Sequence, residues 1–104
     1  MNVTLKGEAK DAQSTRAGIY IRGPKLVNGK SYWLQDSGTN AIWFDKAKGN
    51  WNIGPKDDLG GSLAGIATTD KVVSPQEATT WQYSNNGWIK SDDILVYEPG
   101  TYVQ

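Results

Sequence analysis

Ser31-Tyr32-Trp33-Leu34-Gln35-Asp36-Ser37-Gly38-Thr39-Asn40-Ala41-Ile42-Trp43-Phe44-Asp45-Lys46-Ala47-Lys48-Gly49-Asn50-Trp51-Asn52-Ile53-Gly54 reads as three aromatic-rich strands joined by two polar turns. Side chains alternate along a strand, and residues directly opposed in an antiparallel pair share a face. A loop over Asp36–Asn40, of five residues or of three closed by Asp36 facing Asn40, pairs Leu34 with Ile42 and Trp33 with Trp43. A loop over Lys46–Gly49 sets Asp45 opposite Asn50, Phe44 opposite Trp51 and Ile42 opposite Ile53. Tyr32, Leu34, Ile42, Phe44, Trp51 and Ile53 then form one apolar face. The other face is polar apart from Trp33 and Trp43. A one-residue slip of the first hairpin mixes rings and polar groups on both faces, so burial is expected to select this register.

The flanking sequence repeats the strand-and-turn theme. Asn28-Gly29 and Asn86-Gly87 sit between apolar stretches, a strong hairpin signal. The first predicts pairing of Lys25–Val27 with Lys30–Gln35, the second of Thr79–Asn85 with Trp88–Lys90. Val3–Glu8, Gly18–Arg22 and Ile94–Glu98 read as further strands, with Pro99-Gly100 ending the last and Tyr102 and Val103 as a final contact. The single helical signal is Ser74-Pro75-Gln76-Glu77, which has capping-box spacing with Pro at the first helical position. Asp57–Ala64, with Gly60-Gly61, reads as a mobile loop. The pattern predicts one all-β domain over residues 1–104, of seven or eight short antiparallel strands. They run mainly as a meander, closed as a barrel or stacked as a two-layer sandwich.

Composition narrows the chemistry. The 104 residues contain no histidine and no cysteine but five tryptophans and five tyrosines. That removes the commonest general base, disulfides and most zinc chemistry. Leu, Ile, Val and Phe together number 20, so large rings must fill much of the core. Eleven basic and eleven acidic residues cancel and lie scattered, which argues against a nucleic-acid partner. Residues 1–10 hold no apolar run, so neither a signal peptide nor a membrane helix is expected there. Asn2-Val3-Thr4 matches a glycosylation sequon, and the compartment stays unmarked.

Trp33 and Trp43 are the residues that packing does not obviously claim. A crossing strand or terminal segment that covers them, burying both sheet faces, is one explanation. A stacking platform is another, because sugar rings present apolar C–H faces and hydroxyls that need planar polar partners. On that reading Trp33 and Trp43 bind the ligand together with Gln35, Asp45, Asn50 and Asn52. A protein contact anchored on Trp is the third. The pairs Asp57-Asp58 and Asp92-Asp93, with Asp36, Asp45 and Asp70, are the available carboxylates. Adjacent Asp residues on a strand point to opposite faces, and in loops they form turns and caps. No EF-hand spacing occurs, and no metal or other cofactor is expected.

The order Asn28-Gly29-Lys30-Ser31-Tyr32-Trp33, Ile42-Trp43-Phe44, Trp51-Asn52-Ile53-Gly54, Pro75 and Thr80-Trp81 resembles a poorly characterised class of small Trp-rich β-modules. These occur singly or in tandem within larger multidomain eukaryotic proteins. The resemblance covers about Gly18–Val96, rests on aromatic and glycine spacing, and implies a modular part without catalysis. The expected function is thus a non-enzymatic, lectin-like binding module for carbohydrate through the Trp33/Trp43 face. The alternative is a protein-interaction or structural repeat unit of a larger assembly.

Overall fold

Nine strands and one short helix follow one another in the computed structural model, which describes residues 1–98. The strands are β1 (Asn2–Leu5), β2 (Gly18–Arg22), β3 (Trp33–Gln35), β4 (Asn40–Asp45), β5 (Asn50–Pro55), β6 (Ile66–Thr68), β7 (Trp81–Ser84), β8 (Trp88–Ser91) and β9 (Ile94–Tyr97). The helix α1 (Gly7–Ala12) follows β1. All strand pairs are antiparallel, in the order β8-β7-β6-β5-β4-β3-β2-β1-β9. The expected all-β meander is therefore present, as a nearly closed barrel-like sheet. Residues 99–104, which include Pro99-Gly100, Tyr102 and Val103, lie outside the described residues.

Closure comes from a bend. Counting alternate directions round the sheet makes β8 and β9 run the same way, yet only Asp92 and Asp93 separate them. Parallel neighbours need a crossover of about a dozen residues, so residues 88–97 act as one bent strand. Its first half pairs with β7 and its second with β1. At the corner the Asp93 amide donates to Ser91 Oγ, and the Lys6 amide donates to the Asp93 carbonyl.

Alternate residues of most strands fill the barrel, while β8 buries none. Val3, Leu5, Tyr20, Ile42, Trp51, Ile53, Ile66, Trp81, Tyr83, Ile94 and Val96 form one buried cluster, with Trp33 and Phe44 packed against it. α1 covers one end, where Ala9 is fully buried and Gln13 Nε2 donates to the Ser84 carbonyl. The expected strand over Val3–Glu8 thus ends at Leu5. Gly7 adopts a left-handed φ of 55° that turns the chain into the helix.

Both Asn-Gly turns form where the dipeptides predict them, with Asn28, Gly29, Asn86 and Gly87 all at positive φ. The first hairpin shrinks to a single bridge between Val27 and Lys30. The Asn28 amide is spent holding neighbours, donating to the Phe44 and Gly60 carbonyls. The single-turn helix at Pro75–Glu77 is present, with the Ser74 amide donating to Glu77 Oε1. β6 carries no sequence signal beyond three residues, yet it pairs on both sides.

The first hairpin of the 31–54 segment departs from expectation by one residue. Leu34 pairs with Ala41 and Trp33 with Ile42, so the loop is the four residues Asp36–Thr39. The β4–β5 register is as expected, with Asp45 opposite Asn50 and Phe44 opposite Trp51. The slip costs nothing because both faces of this region are buried. A second cluster of Tyr32, Ala41 and Trp43 lies outside the barrel, packed by Val27, Leu34, Leu59 and Ala64. Gln35 fixes the loop instead. Its Oε1 accepts from the Asn40 side chain, while its Nε2 donates to the Thr15 and Ala17 carbonyls.

Candidate functional site

The slip separates the two tryptophans that the sequence places side by side. Trp43 points outward and is fully buried beneath residues 56–65, its Nε1 donating to the Gly61 carbonyl at 2.9 Å. Residues 57–64, expected to be a mobile loop, thus form the lid of the outer cluster. Leu59 and Ala64 pack on it, and Asn52 Nδ2 donates weakly to the same Gly61 oxygen at 3.4 Å.

Most of the expected polar partners are likewise committed to structure. Asp45 is 1 % exposed; its Oδ1 accepts from the Ala47 and Lys48 amides, and its Oδ2 accepts from Asn52 Nδ2. Asp45 is therefore a turn-former under the β4–β5 hairpin, and Asn52 is its buried partner. Asn50 Nδ2 donates to the Thr68 carbonyl and ties β5 to β6, while its buried Oδ1 has no hydrogen-bond partner among the described residues. Gln35 is held by Thr15, Ala17 and Asn40 as described. Of Trp33, Trp43, Gln35, Asp45, Asn50 and Asn52, the structure leaves only Trp33 facing an open space.

That space is the mouth of the barrel. A cavity of about 590 Å³ is lined by Met1, Tyr20 and Trp51 below, and by Arg22, Lys30, Trp33, Ser74, Gln76 and Glu98 around it. Its volume falls in the range of about 300–1,000 Å³ usual for small-molecule sites, which favour barrel mouths. The half-buried Trp33 ring lies 6.0 Å from that of Trp51, tilted by 57°. Phe44 extends the row, 5.6 Å from Trp51, with Lys30 Nζ 5.1 Å above its centroid.

The rings are held firmly. Trp51 Nε1 donates to the Val72 carbonyl, and the Trp51 amide donates to Thr68 Oγ1. The first bond pins residues 72–77 across one side of the mouth. Tyr20 in the floor donates its hydroxyl to the Arg16 carbonyl at 2.6 Å, and burial pushes its pKa well up. The Met1 ammonium donates to the Tyr20 carbonyl at 2.9 Å, and burial lowers its pKa against the opposing pull of Glu98. Gln76 Oε1 is buried and has no hydrogen-bond partner among the described residues. An acceptor in that state costs about 1–3 kcal/mol unless a donor reaches it.

Elsewhere the carboxylates serve turns. Asp70 Oδ2 accepts from the Thr79 amide and hydroxyl, and Asp57-Asp58 sit in a single helical turn. Among the described residues no three His, Cys, Asp or Glu side chains converge as a metal site. Among the described residues no helix is long and apolar enough to cross a membrane. Comparison with protein-family models, with curated proteins and with solved structures found no match.

Nothing in the sequence pointed to Arg22, Ser74 or Gln76 as mouth residues. They come together because Arg22 ends β2 and residues 72–77 cross above it, a tertiary arrangement with no local signature.

Proposed function

We propose that this chain is a non-enzymatic binding module that takes a carbohydrate in the barrel mouth. The observation that carries the reading is Trp33, half-buried beside Trp51 in a cavity whose rim joins polar and charged groups to the apolar Ile19, Ile21 and Val73. A sugar ring stacks its C–H face on an indole while its hydroxyls require fixed donors and acceptors. Ser31, Ser74 and Gln76 line the cavity and supply these. The bound face expected from sequence is thus moved: Trp33 stays in the site, while Trp43 with Asp45 and Asn52 belongs to packing. A modular part of a larger protein, as the Trp-rich β-module resemblance implies, fits this role.

The test is a glycan-array screen of the wild type beside Trp33→Ala, with folding checked by circular dichroism. Binding that vanishes in a folded variant supports the reading. Binding that persists in Trp33→Ala, or a wild type that binds no glycan, defeats it.

A second reading is a protein-interaction or structural unit. Its support is β2 at the border of that cavity, where Ile19 and Ile21 are 52 % and 55 % exposed. Sedimentation of the wild type against an Ile19→Lys, Ile21→Lys double variant tests self-association through that strip.

A further inference from the structure

We infer that the sugar bound at the mouth carries a carboxylate, and that Arg22 reads it with Lys30 beside it. This rests on the mouth being the carbohydrate site. Arg22 is directly opposed to Trp33 in the β2–β3 ladder, so the two side chains leave the sheet together on the barrel side. Opposed Cβ atoms lie about 4.5–5.5 Å apart, which sets a guanidinium beside the edge of the stacking indole.

A hexuronate has the matching shape. Its ring presents a C–H face to the indole, and its carboxylate projects from the ring edge, where Arg22 stands. A planar guanidinium grips a carboxylate through two parallel N–H···O bonds, a geometry that a hydroxymethyl group cannot use.

The electrostatics agree. Arg22 is exposed and, among the described residues, has no hydrogen bond or ion pair. Lys30 is placed by its contact with Phe44, so a second positive charge is fixed on the same rim. Glu98 is the one acidic side chain among the described residues lining the cavity, and the Met1 ammonium is engaged with the Tyr20 carbonyl. Two side-chain cations against one carboxylate leave the rim attractive to an anion. The hydroxyls of the same sugar can meet Ser31 and Ser74, which line the same cavity as the unpaired guanidinium.

The experiment compares glucuronic- and galacturonic-acid-terminated oligosaccharides with their glucose- and galactose-terminated counterparts. Titration calorimetry would be run on the wild type, Arg22→Gln and an Arg22→Gln, Lys30→Gln double variant. The acidic sugars should bind the wild type about tenfold or more tighter, as expected for charge-assisted bidentate bonds. Arg22→Gln should remove most of that advantage, bringing the affinities for acidic and neutral sugars together. The preference should also shrink as salt rises. Equal affinity for acidic and neutral sugars overturns the inference and leaves the carbohydrate site standing. So does a preference that survives in the double variant. Failure of every sugar to bind overturns both.

Discussion

Trp43→Ala is the perturbation that best separates the observed strand register from the one expected from the sequence. Trp43 is fully buried, so the variant removes about 150–250 Å² of aromatic surface from the interior. At about 25 cal/mol per Å² that is about 4–6 kcal/mol, trimmed to about 3–5 because the unfolded chain is itself partly compact. The lost indole N–H leaves the Gly61 oxygen with only the long Asn52 contact, which adds about 1 kcal/mol. The sum approaches the whole stability of about 5–15 kcal/mol usual for such a domain. Trp43→Phe keeps most of the ring and loses the donor, and should cost about 1–3 kcal/mol. Trp33→Ala removes a half-buried ring and should also cost about 1–3 kcal/mol. The assay is urea unfolding followed by far-ultraviolet circular dichroism, which does not depend on the substituted fluorophores. A Trp43→Ala loss below about 1 kcal/mol, or a larger loss for Trp33→Ala, would refute the assignment of faces.

Three further outcomes follow from particular bonds. Burial raises the Tyr20 pKa above its ordinary 10.0, so the folded state keeps a proton that the unfolded chain releases first. The stabilisation is complete below about pH 10 and declines above it, by about 1.4 kcal/mol per pH unit for one proton. Tyr20→Phe should flatten that alkaline decline in unfolding titrations, while costing about 0.5–1.5 kcal/mol at neutral pH through the lost bond to Arg16. Asp45→Ala removes the acceptor for two backbone amides and for Asn52, and should lower stability by about 1–3 kcal/mol in urea melts. Wild-type stability in that variant would mean the turn stands without its cap. A Cβ at Gly54 would meet the Ala64 Cα at 2.9 Å and the Trp43 ring at 3.2 Å. Gly54→Ala should therefore cost about 1–3 kcal/mol through overpacking, read as a fall in melting temperature.

The fold class was legible because its signals are local. Asn28-Gly29 and Asn86-Gly87 have the residues that positive φ demands, and both turns form there. Lys46–Gly49 closes a hairpin whose six ladder pairs follow from loop length and alternation alone. Ser74-Pro75-Gln76-Glu77 gives its single turn. What failed was the inference that an apolar face must be one face. β4 is buried on five of its six residues, so period-two patterning carries no register information along it. The Asp36–Thr39 loop was then set by Gln35 and Asn40, whose bonds reach to residues 15 and 17. Contacts across that distance have no trace in a local reading, and neither does α1, which exists because Ala9 closes the barrel end.

The structure commits most of the polar residues that the sequence grouped around Trp33 and Trp43 to the fold itself. A ring among polar groups is a sound cue for a stacking surface, but the cue counts side chains without asking what satisfies them. Asp45, Asn50, Asn52 and Gln35 all hold donors or acceptors of the fold itself. A polar side chain already bonded to backbone would have to break that bond to meet a ligand, and the exchange gains little. The groups worth attention are those that the fold leaves incomplete, and two of them belong to residues that line the mouth. Gln76 has an acceptor without a donor, and Arg22 carries a charge without a partner among the described residues. Trp33 stands opposite Arg22 through the β2–β3 ladder, and the slip against β4 pairs it with Ile42 on the barrel side instead of with Trp43. A site assembled this way depends on the loop at Asp36–Thr39. An insertion of one residue there should loosen the Gln35 and Asn40 bonds and weaken the proposed sugar binding, read on the glycan array, while Arg22 and Gln76 remain unchanged in sequence.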